Sequence, residues 1–179
     1  MRWFGSPKRQ IEALVETHYT ALYRYAYRLS GTSQEAEDLT QETFCQAQNK
    51  LHQLRDENRA KAWLFTILRN AYLHRLRSSK LEKQVPLDAV HELPERAGDP
   101  LPAVDSAQLQ KALNELPELF RTPIILYYFE DFSYKDIAEQ MSVPLGTVMS
   151  RLARAKTFLR QRLTDHADLI EKANQGEGL

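Results

Sequence analysis

One cysteine, Cys45, stands in 179 residues, which excludes a disulfide framework and a Cys-rich zinc site. No stretch approaches the roughly 18 consecutive apolar residues of a membrane span. The N-terminal MRWFGSPKRQ has two aromatics but no apolar run of signal-peptide length. A soluble, intracellular chain without membrane insertion is expected. The five histidines are scattered without metal-ligand spacing. No HExxH, P-loop or nucleophile-elbow pattern occurs, so no metal, cofactor or catalytic centre is expected. Strand signals are nearly absent, and glycine occurs only six times. What remains is a chain rich in Ala, Leu, Gln, Glu, Lys and Arg, 42% hydrophobic, which can bury a core and favours helices. The expected fold class is all-α.

The net charge is zero, 24 Lys+Arg against 24 Asp+Glu, but the charges are not mixed. Arg59, Lys61, Arg69, Arg75, Arg77 and Lys80 fall in a segment with no acid. Arg151, Arg154, Lys156, Arg160 and Arg162 fall in another, Met141 to Leu163. Acids gather elsewhere, at Glu35, Glu37, Asp38 and Glu42, and at Glu130, Asp131, Asp136 and Glu139. Two cationic patches fit two contacts with one polyanion; they also fit two solvated helix faces.

Apolar spacing of three and four predicts a helix over about Gln10 to Leu29, closed by Ser30-Gly31. A second opens at Thr32 or Ser33 and buries Ala36, Leu39, Thr43, Ala47 and Leu51. Its other side carries Asp38, Gln41, Glu42, Cys45 and Asn49, a surface that is either solvated or docks a protein. A polar loop, His52 to Arg59, leads to a third helix, Ala60 to Lys80. Between Leu81 and Val104, Pro86, Pro94, Pro100 and Pro102 break helical periodicity and mark a linker. The expected domains are therefore 10–80 and 105–164, joined by 81–104 and followed by a fraying tail, 165–179. Helices are expected over Gln108 to Leu116, Glu118 to Tyr128, Ser133 to Gln140 and Leu145 to Leu163. Pro123 implies a start or kink within the second of these.

The segment SYKDIAEQMSVPLGTVMSRLARAKTFL, from Ser133, reads as a helix-turn-helix. Ser133 and Asp136 make a capping-box pair, Met141 to Val143 the turn, and Pro144 opens the next helix. Gly146 leaves that helix N-terminus open to a phosphate. Val148, Leu152, Ala155 and Leu159 form an apolar stripe; Thr147, Ser150, Arg151, Arg154 and Phe158 face away from it. Hydroxyls and guanidiniums at the N-terminal half of a helix suit a DNA major groove. An ordinary helical hairpin with a wet basic face is the plainer alternative.

On the third helix, Trp63, Thr66, Asn70, His74 and Arg77 share one face, opposite Leu64, Ile67, Leu68 and Ala71. Trp63, Asn70 and His74 can stack on or hydrogen-bond to bases while Arg69 and Arg77 meet phosphate, as single-stranded DNA binding requires. An unstacked base could settle under the His52 to Arg59 loop. Partial burial of Trp63 against the first helix competes with full stacking.

EDLTQETF (Glu37 to Phe44), AWLFTILRNAYLHRLR (Ala62 to Arg77) and the Leu113 to Leu163 segment together resemble bacterial RNA polymerase sigma factors of the extracytoplasmic-function (ECF) subfamily. The resemblance implies two helical domains, region 2 and region 4, and no enzymatic activity. It implies that Asp38, Gln41, Glu42 and Phe44 dock on core RNA polymerase. It implies that Trp63, Arg69, Asn70, His74 and Arg77 melt and read the −10 promoter element. It implies that Ser133, Tyr134, Thr147, Ser150, Arg151 and Arg154 read the −35 element as duplex. Promoter DNA, core polymerase and an anti-sigma factor are the implied partners of a chain that is monomeric when free and cytoplasmic. The sequence departs from the family pattern at His74, where Asp is frequent, and at Met149, where Lys or Arg is frequent. A stand-alone helix-turn-helix regulator is the rival function; it leaves the face from Trp63 to Arg77 and the segment from Asp38 to Phe44 without a task.

Overall fold

The computed structural model describes residues 6–78 and 105–176, with side chains described through residue 164. The proline-rich linker proposed for 81–104 lies outside the described residues. Seven α-helices are described: α1 Pro7–Ser30, α2 Ser33–Lys50, α3 Ala60–Ser78, α4 Ser106–Glu115, α5 Glu118–Glu130, α6 Tyr134–Met141 and α7 Leu145–Gly176. Two 3-10 turns, Leu51–Gln53 and Glu57–Arg59, fill the loop between α2 and α3. No strand occurs among the described residues, as the sequence predicts.

Local signals act as read. Pro7 sits in the first turn of α1, where its missing N–H costs nothing. Gly31 ends α1 at φ 83°, donating its N–H to Tyr27 O at 2.7 Å. Thr32 Oγ1 accepts from Glu35 N at 3.3 Å and opens α2. The α2 stripe is buried except Leu51, which is half-buried. Thr40 and Thr43 are buried as well, and their hydroxyls donate back to Ala36 O and Leu39 O at 2.7 Å. On α3, Leu64, Ile67, Leu68 and Ala71 are buried together with Phe65 and Tyr72, so its apolar face is wider than periodicity suggests.

Two expectations are corrected. Pro123 lies buried inside a continuous α5 that starts five residues earlier, at Glu118, so it marks no helix start. The tail is helical: α7 runs on to Gly176 rather than ending near Leu163. The reason is local, because the residues from Asp165 to Gln175 contain neither Pro nor Gly to stop a helix.

The two halves do not stand apart. Their buried residues form one continuous cluster, with Phe65 of α3 stacked on Tyr25 of α1 at 4.8 Å and against Phe132, beyond α5, at 5.1 Å. Arg121 of α5 fastens this arrangement. Its Nη1 donates to Leu29 O of α1 at 2.7 Å and to Tyr72 Oη of α3 at 3.3 Å. Its Nη2 donates to Asn114 O at 3.0 Å and Leu116 O at 2.7 Å, and its Nε to Leu116 O at 3.1 Å. All the donors of one guanidinium are thus spent on helix-end carbonyls and one phenol. Gln110 of α4 adds a bond to Arg28 O at 3.2 Å. The end of α1 is therefore capped from the second half of the chain.

Arg121→Ala strands several partly buried carbonyls and should cost about 2–4 kcal/mol of stability. Arg121→Lys, a point charge in place of a planar fork, should recover little of it. Thermal and urea melts of the three proteins measure both effects.

Candidate nucleic-acid interfaces

The helix-turn-helix is built as its sequence specifies. Ser133 Oγ accepts from Asp136 N, and Asp136 Oδ2 accepts from Ser133 N, both at 3.2 Å, closing a reciprocal capping box. The turn needs a left-handed residue, Ser142 at φ 52°, whose N–H returns to Glu139 O at 3.3 Å. Pro144 O accepts from Thr147 N at 3.0 Å and Val148 N at 3.2 Å, opening α7. Val148, Leu152, Ala155 and Leu159 are buried, so the opposite face of α7 looks outward. On it Ser150 and Arg154 are exposed, and Thr147, Arg151 and Phe158 are half-buried. Ser150 Oγ donates to Thr147 O at 3.0 Å. Arg151 and Arg154 form no ion pair with the described residues. A Cβ at Gly146 would meet nothing within 4 Å, so this helix start is open. Tyr134 is less available: its ring lies 4.8 Å from that of Tyr127, half-buried in an aromatic group that includes Tyr128.

The face on α3 is divided. Asn70, His74 and Arg77 are exposed. Trp63 is half-buried, in line with its expected partial burial. With Thr66, Leu54 and Arg59 it lines a cleft of about 580 Å³ beneath the loop before α3. The far wall of that cleft is α6, through Asp136, Glu139 and Gln140. The cleft beneath that loop is therefore walled by both halves of the molecule.

The cations of this surface are also engaged. Arg69, expected to meet phosphate, is 14% exposed and pairs with Glu118 Oε1 of α5 at 3.2 Å. Glu118 is held in turn by Thr122 Oγ1 at 2.8 Å. Arg59 pairs with Glu139 Oε2 of α6 at 2.6 Å. Lys61 Nζ donates to the Glu130 backbone carbonyl at 2.5 Å and lies 5.0 Å from the Phe132 ring centre. Gln140 Nε2 donates to Ala62 O at 3.1 Å. Glu118, which no motif marked, and Glu130 and Glu139, read in the sequence only as part of an acid cluster, thus answer the cations of the first half. Their sequence signal is faint, a carboxylate on a helix facing a basic helix far along the chain.

Glu130, grouped in the sequence with Asp131, Asp136 and Glu139, is buried: its side chain is 1% exposed and 3.9 Å from Arg24, and its Oε1 has no hydrogen-bond partner among the described residues.

The acidic-polar face of α2 is real but partly occupied. Asp38, Gln41 and Cys45 are exposed. Glu42 accepts from Arg75 Nη2 of α3 at 2.6 Å and from Gln46 Nε2 at 3.0 Å. Phe44 is half-buried, its ring near-parallel to that of exposed Tyr19 at 6.4 Å, and Tyr23 continues the row. The two tyrosines went unmarked because a helical stripe of aromatics reads as core.

Comparison with known proteins places this geometry. Residues 14–82 match the family described as Sigma-70 region 2, and residues 106–159 match Sigma-70, region 4. The chain is 37% identical over 164 residues to the ECF RNA polymerase sigma factor SigE of Mycolicibacterium smegmatis, covering 87% of this chain and 62% of that relative, less than two thirds of its length. It is 30% identical over 168 residues to the ECF RNA polymerase sigma factor SigW of Bacillus subtilis, covering 85% and 88% of the two chains. Among solved structures, the sigma factor RpoE in complex with the anti-sigma factor NepR from Bartonella quintana superposes with TM-score 0.69 at 32% identity, over 87% of this chain and 98% of that one.

Burial raises the Glu130 carboxyl above the ordinary value, against the opposing pull of Arg24, Lys61 and Arg28. A raised native pKa means that folding holds this proton more tightly than the unfolded chain does. The group therefore favours folding at acid pH, and the advantage is lost as pH rises through its native pKa. Glu130→Gln should melt higher than the parent at neutral pH, with the gap narrowing as pH falls toward 4.5, in circular-dichroism melts across that range.

Proposed function

The chain belongs to the ECF RNA polymerase sigma factors and directs promoter-specific transcription, and we propose how its two halves divide that task. Residues 10–80 act as region 2 and residues 105–164 as region 4, with 81–104 as the tether between them. The face of α7 bearing Ser150, Arg151 and Arg154, with Thr147 and the Ser133-Tyr134 corner of α6, reads the −35 element as duplex. The guanidiniums fork onto guanine or grip phosphate while the hydroxyls meet backbone oxygens. Trp63, Asn70 and His74, with Arg69 and Arg77, hold the opened −10 strand, each stacked base contributing about 1–3 kcal/mol. Asp38, Gln41, Glu42 and Phe44 on α2 dock on core polymerase. This chain binds and separates strands, and bond making belongs to the polymerase.

The observation that carries this reading is the cationic face at the start of α7. Among the described residues Arg151 and Arg154 form no ion pair, whereas the cations at the inter-half seam, Arg59, Lys61 and Arg69, are engaged. The described arrangement is then the unengaged state. The −10 surface faces α6, and its cations rest on Glu118 and Glu139, so reading the −10 strand requires the halves to part. Held apart on one polymerase, the halves bind a promoter as a single bivalent reader. An anti-sigma factor is a fitting inhibitor, since the similar RpoE is found with one. The free protein acts as a cytoplasmic monomer in this scheme.

Transcription in vitro with purified core polymerase tests the assignment, and initiation that does not depend on this chain contradicts it. Arg151→Ala with Arg154→Ala should weaken −35 binding at least tenfold and leave polymerase binding intact. Asp38→Arg should abolish co-migration with core polymerase in gel filtration while the melting curve stays unchanged. Glu118→Gln with Glu139→Gln should raise the affinity of the free chain for a single-stranded −10 oligonucleotide, read by fluorescence anisotropy.

A further inference from the structure

Leu145 and Met149 are the most exposed large hydrophobic side chains among the described residues, at 49% and 51%. They stand four residues apart on α7 and so share one side of its opening turns. The buried stripe of the helix is elsewhere, at Val148 and Leu152. The pair therefore contributes nothing to the core, and it borders Ser150 and Arg154, both exposed. Between its members, at Gly146, the helix surface is open. The part of α7 that faces outward is thus half apolar and half cationic.

The reading of α7 as the −35 helix, on which this inference rests, limits what such an apolar pair can meet. A duplex offers phosphates, sugars and base edges. In the major groove the one apolar feature of a base edge is the 5-methyl group of thymine. Ser150 offers only a hydroxyl, which donates to Thr147 O at 3.0 Å and gives a methyl group no apolar surface to pack on. We propose that Met149, flanked by Leu145, is a specificity-determining residue that reads thymine 5-methyl groups in the −35 element. Arg151 and Arg154 supply the charge and the polar contacts beside it. The long unbranched thioether suits the task because it can follow a methyl group without a fixed rotamer.

The test uses the reconstituted holoenzyme. A −35 element is first selected from randomised duplexes, and each selected thymine is then replaced by deoxyuridine, which deletes the methyl group alone. The wild type should select thymine at one or two positions and lose about threefold to tenfold in affinity on replacement there. Met149→Ala should bind thymine and uracil versions equally, whereas Met149→Leu should keep the discrimination. Three results overturn the proposal. One is a selected element without thymine. Another is a uracil penalty that persists in Met149→Ala. The third is loss of polymerase binding in Met149→Ala, which makes the patch a protein contact. Failure of the underlying reading looks different: the Arg151 and Arg154 variants would then bind −35 duplex as tightly as the wild type.

Discussion

One guanidinium decides how the molecule is put together. Arg121 reaches from α5 to the last carbonyls of α1, to those of α4 and to the Tyr72 hydroxyl of α3. A helix C-terminus leaves carbonyls unpaired and carries partial negative charge, so a fixed cation there satisfies both. Because the donors of Arg121 diverge in one plane, they fix the mutual position of three helices rather than merely attracting them. The Phe65–Phe132 contact and the shared apolar cluster accompany that placement.

The seam so created neutralises cations of the first basic segment. Glu118 of α5 and Glu139 of α6 pair with Arg69 of α3 and with Arg59 of the loop before it. These pairs differ in weight. Arg59–Glu139 is exposed on both sides and is screened by water and salt. Arg69–Glu118 is mostly enclosed and has a second bond, from Thr122, to hold its geometry. Each 1.4 kcal/mol by which closure is favoured lowers the apparent affinity of the masked surface about tenfold. Cations paired inside the seam release no counterions on contact with a polyanion.

What the sequence disclosed was whatever local rules decide. Helix starts and stops follow from Pro7, Gly31, Thr32 and the Ser133–Asp136 pair, and buried faces follow from spacing. The α7 face needed only periodicity and the order of cap, turn, Pro and Gly. The seam escaped because it is made of partners 49 to 92 residues apart. Arg121 looks like any surface arginine in the first turn of a helix. Glu130 sits beside Asp131 and near Asp136, so charge clustering argued for water when packing had put it inside. Arg69 is expected to meet phosphate; its partner in the structure, Glu118, has no pattern to announce it.

Gly31 carries a consequence of its own. Its left-handed φ of 83° ends α1, and a Cβ built there would fall 2.7 Å from the Asn114 side-chain amide. Asparagine tolerates that backbone region, so it would keep the turn, and the Asn114 amide, the free end of a flexible side chain, would have to swing aside to admit it. A side chain introduced at this bend is thus met first by Asn114, a residue of the second half.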